Sequence, residues 1–311
     1  MDCTKRTCLG QIGSGQLLSL IRHALFGQKG LIMPSRITII AQGAMGSAIG
    51  ARLVASGHQV FTVLDGRSSA SQARAQQAGM QAISMDQVAQ CDLFLSILPP
   101  AQALPLAQAL VPVLQRSETK PLYVDANAVS PRTMKAIADC LAPAGIDLVD
   151  AGIIGGPPKG SDSPAIYLAG TKASEVKARL GTGLDIRVLD GPIGAASALK
   201  MSYAGLTKGF QALGAAMLSA ALKAGAGPAL LEQLAQSQPD FLAYFRPQVP
   251  AMFPKAYRFV GEMEEIADFL ASTGDNSAAA IYHGMGELFA DFANGLSETQ
   301  DRIDHLRALL R

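Results

Sequence analysis

The sequence predicts an α/β domain built on a mostly parallel sheet, followed by an all-helical domain. Three observations predict it. From Arg36 to Asp150, short apolar runs alternate with helical stretches. Those runs are apolar throughout rather than alternately polar, as in strands covered on both faces. After Gly191-Pro192 the β-type runs cease and the chain reads helical almost to its end.

In order, the candidate strands are Ile37–Ile40, Gln59–Leu64, Leu93–Ile97, Leu122–Asp125 and Asp147–Asp150. Helices Met45–Ser56, Ser69–Ala78, Ala101–Leu114 and Pro131–Leu141 lie between them, and strands Ala165–Ala169 and Arg187–Leu189 follow. A long helix over Ile193–Ala226 is rich in Ala, Leu, Met and Lys, and Gly225, Gly227 and Pro228 stop it. Later helices cover Ala229–Gln236, Asp240–Val249, Glu262–Ser272, Asn276–Asn294 and Glu298–Leu310. Glu262 to Glu265 read as a helix start, where carboxylates suit the dipole. His283, on an apolar stretch, reads as a packing histidine. The division is an extension over 1–33, a sheet domain over 34–191 and a helical domain over 192–311.

The 311 residues suffice for two domains with a buried core. Nearly half are apolar, 16% are charged, and the formal net charge is +1, so there is no electrostatic footprint for nucleic acid or an anionic membrane. No apolar run is long enough to span a bilayer. Cys3, Cys8, Cys91 and Cys140 form no C-x-x-C pair, which argues against zinc or a disulfide scaffold and for a reducing, cytoplasmic setting. Residues 1–33 read as an extension without catalytic role. They carry Lys5, Arg6, Arg22 and Lys29 against one acid, so an organellar transit segment is the alternative, and a start at Met33 a third reading. No β-run precedes "GQIGSG" there, so its glycines are set aside.

The chemistry begins at "IIAQGAMG", Ile39 to Gly46. It occupies a strand–turn–helix junction, the context that seats a dinucleotide pyrophosphate in a Rossmann-type fold. Ala41 stands where the motif's first glycine usually does. Gly43 lets the backbone approach the phosphates and Gly46 lets the helix pack on the strand. Ala44 and Met45 begin the helix, whose free N–H groups and positive dipole end favour anions. Past the second strand comes Asp65-Gly66-Arg67-Ser68-Ser69. An acid there would bond a free ribose 2′-hydroxyl of NAD, whereas an arginine beside hydroxyls would hold the 2′-phosphate of NADP. Arg67 with Ser68 favours NADP, with NAD possible. Leu98 and Pro99 end another strand on the same rim and border the cofactor.

Four blocks in order, "GAMGSAIGARLVASGHQV", "CDLFLSILP", "VDANAVSPRTMKAIADCLAPAGIDLVDAGIIGG" and "GPIGAASALKMSYAG", resemble the β-hydroxyacid dehydrogenase family. That family includes 3-hydroxyisobutyrate and 6-phosphogluconate dehydrogenases. "AYRFVGEMEEIADF" resembles a branch whose C-terminal helical domain is uncharacterised. The resemblance implies an NADP-dependent oxidoreductase that transfers hydride to or from a small hydroxy acid or carbonyl compound. It also implies a homodimer formed through the helical domain.

Lys200 matches the family's general acid/base, a role that suits a lysine between domains with its pKa drawn toward neutrality. Asn127, Gly155 and Gly156 match the substrate side, with a loop-capping role open for Asn127. Three and four residues past the lysine, the family's polar pair is replaced by Tyr203 and Ala204, and its substrate-loop serine by Ile154. A less polar substrate, or one held by different residues, follows. Tyr203 is a substitute donor or a packing residue. Two other functions fit the sequence: an imine reductase, or a non-catalytic sensor that binds NADP.

Overall fold

The computed structural model describes residues 34–181 and 183–311, a single compact unit. The readings made of residues 1–33 lie outside the described residues. Eight strands form one sheet in the order β3-β2-β1-β4-β5-β6-β7-β8. Their ranges are β1 Arg36–Ile40, β2 Gln59–Val63, β3 Gln81–Ile83, β4 Leu93–Ser96, β5 Leu122–Asp125, β6 Leu148–Ile154, β7 Ala165–Ala169 and β8 Asp185–Val188. All neighbours are parallel except β6 and β7, which pair antiparallel from Asp150↔Ala169 to Ile154↔Ala165. The helices of this region are α1 Ala44–Ala55, α2 Ser69–Gln77, α3 Ala103–Arg116, α4 Pro131–Leu141 and α5 Ala173–Leu180.

The apolar runs are strands because both of their faces are covered. Ile37, Ile39, Leu93 and Leu95 pack into one core with Ile49 and Leu53 of α1. Their neighbours Ile40 and Phe94 point the other way, into a second core with Leu110 and Leu114 of α3 and Met134 and Ile137 of α4. Period-two alternation sends successive residues to opposite sides, so a sheet sandwiched by helices needs apolar residues at every position. The edge strand β3 is only three residues long, with Gln81 and Ala82 exposed, and nothing in its composition announces it.

The helical region holds α6 Ala195–Lys223, α7 Gly227–Ser237, α8 Pro239–Met252, α9 Ala256–Ser272, α10 Asn276–Ala293 and α11 Ser297–Leu309. Its core joins Met201, Ala215 and Leu218 of α6 to Phe245, Val249, Met263, Phe289 and Leu306. Small residues let the helices approach: a Cβ at Gly214 would lie 2.5 Å from the Phe245 ring. Two expectations need correction. The helix expected from Glu262 begins at Ala256, so Glu262 to Glu265 lie inside it. His283 is exposed on α10 rather than packed. Among the described residues, no helix is long and apolar enough to cross a membrane.

Candidate functional site

The strand order reverses at β1, which has β2 on one side and β4 on the other. In open α/β sheets that reversal leaves a crevice at the carboxyl ends of the strands, where ligands bind. The glycine loop after β1 and the Leu98–Pro99 turn after β4 both border it.

Gly46 is required by packing, since a Cβ there would stand 1.9 Å from the Ala41 carbonyl oxygen. Gly43 differs: its φ is −70°, and a Cβ on it would meet nothing within 4 Å. It is exposed, as is Ala44, and no side chain caps the N-terminus of α1. Gly43 and Ala44 thus lie open, with Met45 half-buried and Gly46 buried behind them, at a helix N-terminus whose first amides no side chain caps, a setting that suits a pyrophosphate.

At the end of β2, Asp65 and Arg67 are exposed, and among the described residues the Arg67 side chain makes no bond. Ser68 caps α2, its hydroxyl accepting from Ser71 N–H at 3.3 Å. Sequence reasoning missed Arg74. Its Nε donates to the Gln42 carbonyl at 2.9 Å and its Nη2 to Ser71 Oγ at 2.9 Å, tying α2 to the glycine loop. Only the pairing of residues 32 apart reveals it.

Asn127 is 2% exposed and its amide is fully engaged. Nδ2 donates to Ser96 Oγ at 2.8 Å and to Asp125 Oδ2 at 2.9 Å, and Oδ1 accepts from Leu98 N–H. Asn127 thus links the ends of β4 and β5 and fixes the Leu98 turn. Pro99 is exposed beside it. Gly155 adopts φ +126°, a conformation reserved for glycine, and both Gly155 and Gly156 are exposed at the end of β6.

Lys200 reaches this edge because α6 is pinned to β6. Asp150, fully buried, accepts at Oδ2 from the N–H groups of Gly194, Ala196 and Ser197 at 2.9–3.0 Å, and at Oδ1 from Ser197 Oγ at 2.7 Å. A carboxylate at a helix N-terminus meets free donors and a favourable dipole end. Gly152 completes the contact: a Cβ there would lie 2.7 Å from the Ala196 carbonyl and 3.3 Å from Lys200 Cβ. Half-buried and without a hydrogen bond among the described residues, Lys200 has its ammonium pulled down to about 8 by desolvation, against the opposing charges of Asp125 and Asp150. Burial pushes Asp125 up to about 7 despite the Asn127 N–H that it accepts. Tyr203 is 51% exposed and lies outside the core, while Ala204 is buried beside it.

The helical region adds a wall that sequence reasoning did not foresee. Glu265 of α9 accepts from Ser130 N–H at 2.6 Å and from Thr133 Oγ1 at 3.2 Å. Asp268 accepts from Ser130 Oγ at 2.7 Å and pairs with Arg132. Glu262 pairs with Lys208, whose amine stands 4.6 Å from the centre of the Phe259 ring.

This is the architecture of a nucleotide-binding α/β protein with a helical partner region set against its binding edge. Residues 36–180 match the NAD-binding domain of 6-phosphogluconate dehydrogenase, and residues 221–292 match a domain of unknown function, DUF1932. The sheet region thus carries an NAD-binding domain of the 6-phosphogluconate dehydrogenase type, and the helical region carries the C-terminal domain. An uncharacterised 28.5 kDa protein of Methanothermus fervidus is 29% identical over 217 residues, covering 69% of this chain and 82% of its own. The solved structure of a conserved protein of unknown function, MTH1747, described as similar to 3-hydroxyacid dehydrogenases, is 28% identical. It superposes with TM-score 0.66 over 89% of this chain and 99% of its own. A 3-hydroxyisobutyrate dehydrogenase of Mycobacterium tuberculosis shares the fold at 18% identity, with TM-score 0.67 over 88% of this chain and all of its own.

Proposed function

We propose that the protein is an NADP-dependent oxidoreductase that moves hydride between the nicotinamide and a small hydroxy acid or its carbonyl counterpart, with Lys200 exchanging the proton. The observation that carries this reading is Lys200 itself. Among the described residues it has no hydrogen-bond or ion-pair partner, its amine is drawn down to about 8, and it stands where α6 crosses the end of β6 beside Gly152. The nicotinamide, when bound, supplies the hydride acceptor or donor. Everything else falls to the chain. Ala44, Met45 and Gly46 offer amides to the pyrophosphate, while Gly43 keeps the approach open. Arg67 holds the 2′-phosphate, and Ser68 stiffens the turn that presents it. Leu98 and Pro99 border the cofactor in a position set by Asn127, so Asn127 acts on the substrate side through the loop it fixes. Gly155 and Gly156 present backbone N–H groups to the substrate.

In oxidation, neutral Lys200 takes the hydroxyl proton as hydride leaves the adjacent carbon; in reduction, its ammonium returns it. Tyr203 stands one turn along α6, with its phenol free to join the substrate. The setting is the reducing cytoplasm. The assembly is a homodimer that uses the exposed face of α6, where Leu206, Leu213 and Met217 are 74%, 50% and 55% exposed.

Titrating the protein with NADPH and NADH, followed by nicotinamide fluorescence, tests the base of this reading. Selective NADPH binding is expected, and Arg67→Ala should weaken NADPH at least tenfold while leaving NADH nearly unchanged. Binding of neither cofactor would remove the proposal, and an unchanged NADPH affinity in Arg67→Ala would remove the role of Arg67.

A further inference from the structure

The loss of polar groups at Ile154, Tyr203 and Ala204 leaves a question: what holds the end of the substrate that does not react. The helical region contains a candidate that the sequence reading did not single out. Along α9, Arg258, Glu262 and Glu265 succeed one another at spacings of four and three, so they share one face of the helix. Two of the three are placed by their bonds. Glu262 pairs with Lys208 of α6, and Glu265 holds the Ser130 turn at the sheet edge. Those bonds set this face of α9 against α6 and against the turn that begins α4, and Arg258 continues it by one turn beyond Glu262.

Arg258 is exposed and makes no hydrogen bond or ion pair among the described residues. Its neighbour Phe259 lies under the Lys208 amine, which places this end of α9 against the cationic stretch of α6. The Arg258 charge acts on both Lys200 and Lys208, lowering the proton affinity of each. Lys208 has its own counter-ion in Glu262; among the described residues Lys200 and Arg258 stand in no ion pair, although the charges of Asp125 and Asp150 reach Lys200. Two cations close enough that one lowers the other's proton affinity repel, and the repulsion turns to attraction once an anion enters between them. A guanidinium also presents a planar fork of donors that matches an oxyanion bidentately.

We propose that Arg258, contributed by the helical region, is the residue that reads an oxyanion on the substrate, carboxylate or phosphate, and so fixes the reacting carbon against Lys200. The assignment rests on the oxidoreductase reading for its role in turnover, but the anion site itself does not need the cofactor. It also gives the C-terminal region a share in specificity. The polar groups missing from the β6 loop and from α6 are replaced from the opposite wall of the cleft.

The test uses the cofactor-free protein. Lys200 is reductively methylated in the presence of malonate, of inorganic phosphate, or of chloride at equal ionic strength, and its modification is followed by peptide mass spectrometry. Malonate or phosphate should slow labelling of Lys200 where chloride does not; the stronger of the two identifies the oxyanion. The concentration for half-protection should rise at least tenfold in Arg258→Met and return most of the way in Arg258→Lys. Arg258 is exposed, so neither variant threatens folding. Absence of protection by either anion, or equal half-protection in Arg258→Met, overturns the proposal. Failure of the underlying reading would look different: NADPH and NADH would not bind, while anion protection persisted.

Discussion

Lys200 carries two opposing influences whose balance sets when it works. Desolvation, helped by the Arg258 charge, favours the neutral amine, while the charges of Asp125 and Asp150 favour the ammonium, and the outcome lies at about 8. If Lys200 accepts the proton in oxidation, the oxidative kcat/KM should climb with pH and level off above about 8. The reductive rate should fall over the same range, because there the ammonium is the reactive form. Asp125 raises the proton affinity of Lys200, so in Asp125→Asn the inflection should move to lower pH. Lys200→Ala should lose a factor on the order of 10² to 10⁴ in kcat with cofactor affinity retained. A stability readout checks the same titration without turnover. Between about pH 8 and the ordinary lysine range, the unfolded chain holds a proton that the folded one has released. Stability from this group therefore rises with pH across that window. Lys208, drawn down to about 7, adds its own share to that slope, so Lys200→Met should reduce the slope by one proton's worth, and an undiminished slope would place the titration elsewhere.

At the scale of elements, everything depends on how α6 meets β6. A single buried carboxylate, Asp150, takes three backbone N–H groups and one hydroxyl at the start of the helix. Ser197→Ala removes one of these bonds and should cost about 1 kcal/mol. Asp150→Asn turns an acceptor into a donor facing N–H groups, and should cost about 2–4 kcal/mol by leaving buried donors unmatched. Denaturant unfolding would order the variants, and an Asp150→Asn protein as stable as Ser197→Ala would contradict the clamp. The sequence exposes much of this arrangement. The uniformly apolar runs give β1, β2, β4 and β5 nearly to the residue, and "GPIGAASALK" marks the start of α6. Other parts are silent. β3 has three residues and two of them are exposed, so no apolar pattern exists to read. The true start of α9 hides behind Phe253-Pro254-Lys255, where a proline just before Ala256 suggests a break and the chain only tightens into a short 3₁₀ turn. Arg74, Asp268, Glu265 and Arg258 act through partners on other elements. Their roles exist only once the fold is made.

For the molecule as a whole, the sheet region and the helical region each have their own cores, so their alignment rests on α6 and on few polar contacts besides. The contact with clear geometry is the pair Glu265 and Asp268 at the start of α4. There, two carboxylates meet the Ser130 N–H and hydroxyl, the Thr133 hydroxyl and Arg132. Charge-assisted bonds of this kind, set at a helix N-terminus, are stronger than neutral ones. They hold the segment that follows Asn127, and Asn127 in turn fixes the Leu98 turn at the crevice where we propose the cofactor binds. The helical region thus reaches the cofactor edge through one chain of bonds. Replacing both acids, Glu265→Gln with Asp268→Asn, touches none of the three apolar cores. The change should leave the far-ultraviolet spectrum intact while raising amide hydrogen exchange across 126–134 at least tenfold. Cofactor affinity should fall with it, by a smaller factor, because the free protein must then order that segment on binding. Unchanged exchange in 126–134 would show that α6 alone holds the two regions in register. Faster exchange with unchanged cofactor affinity would confine the pair to structure and break the link from α9 to the nucleotide.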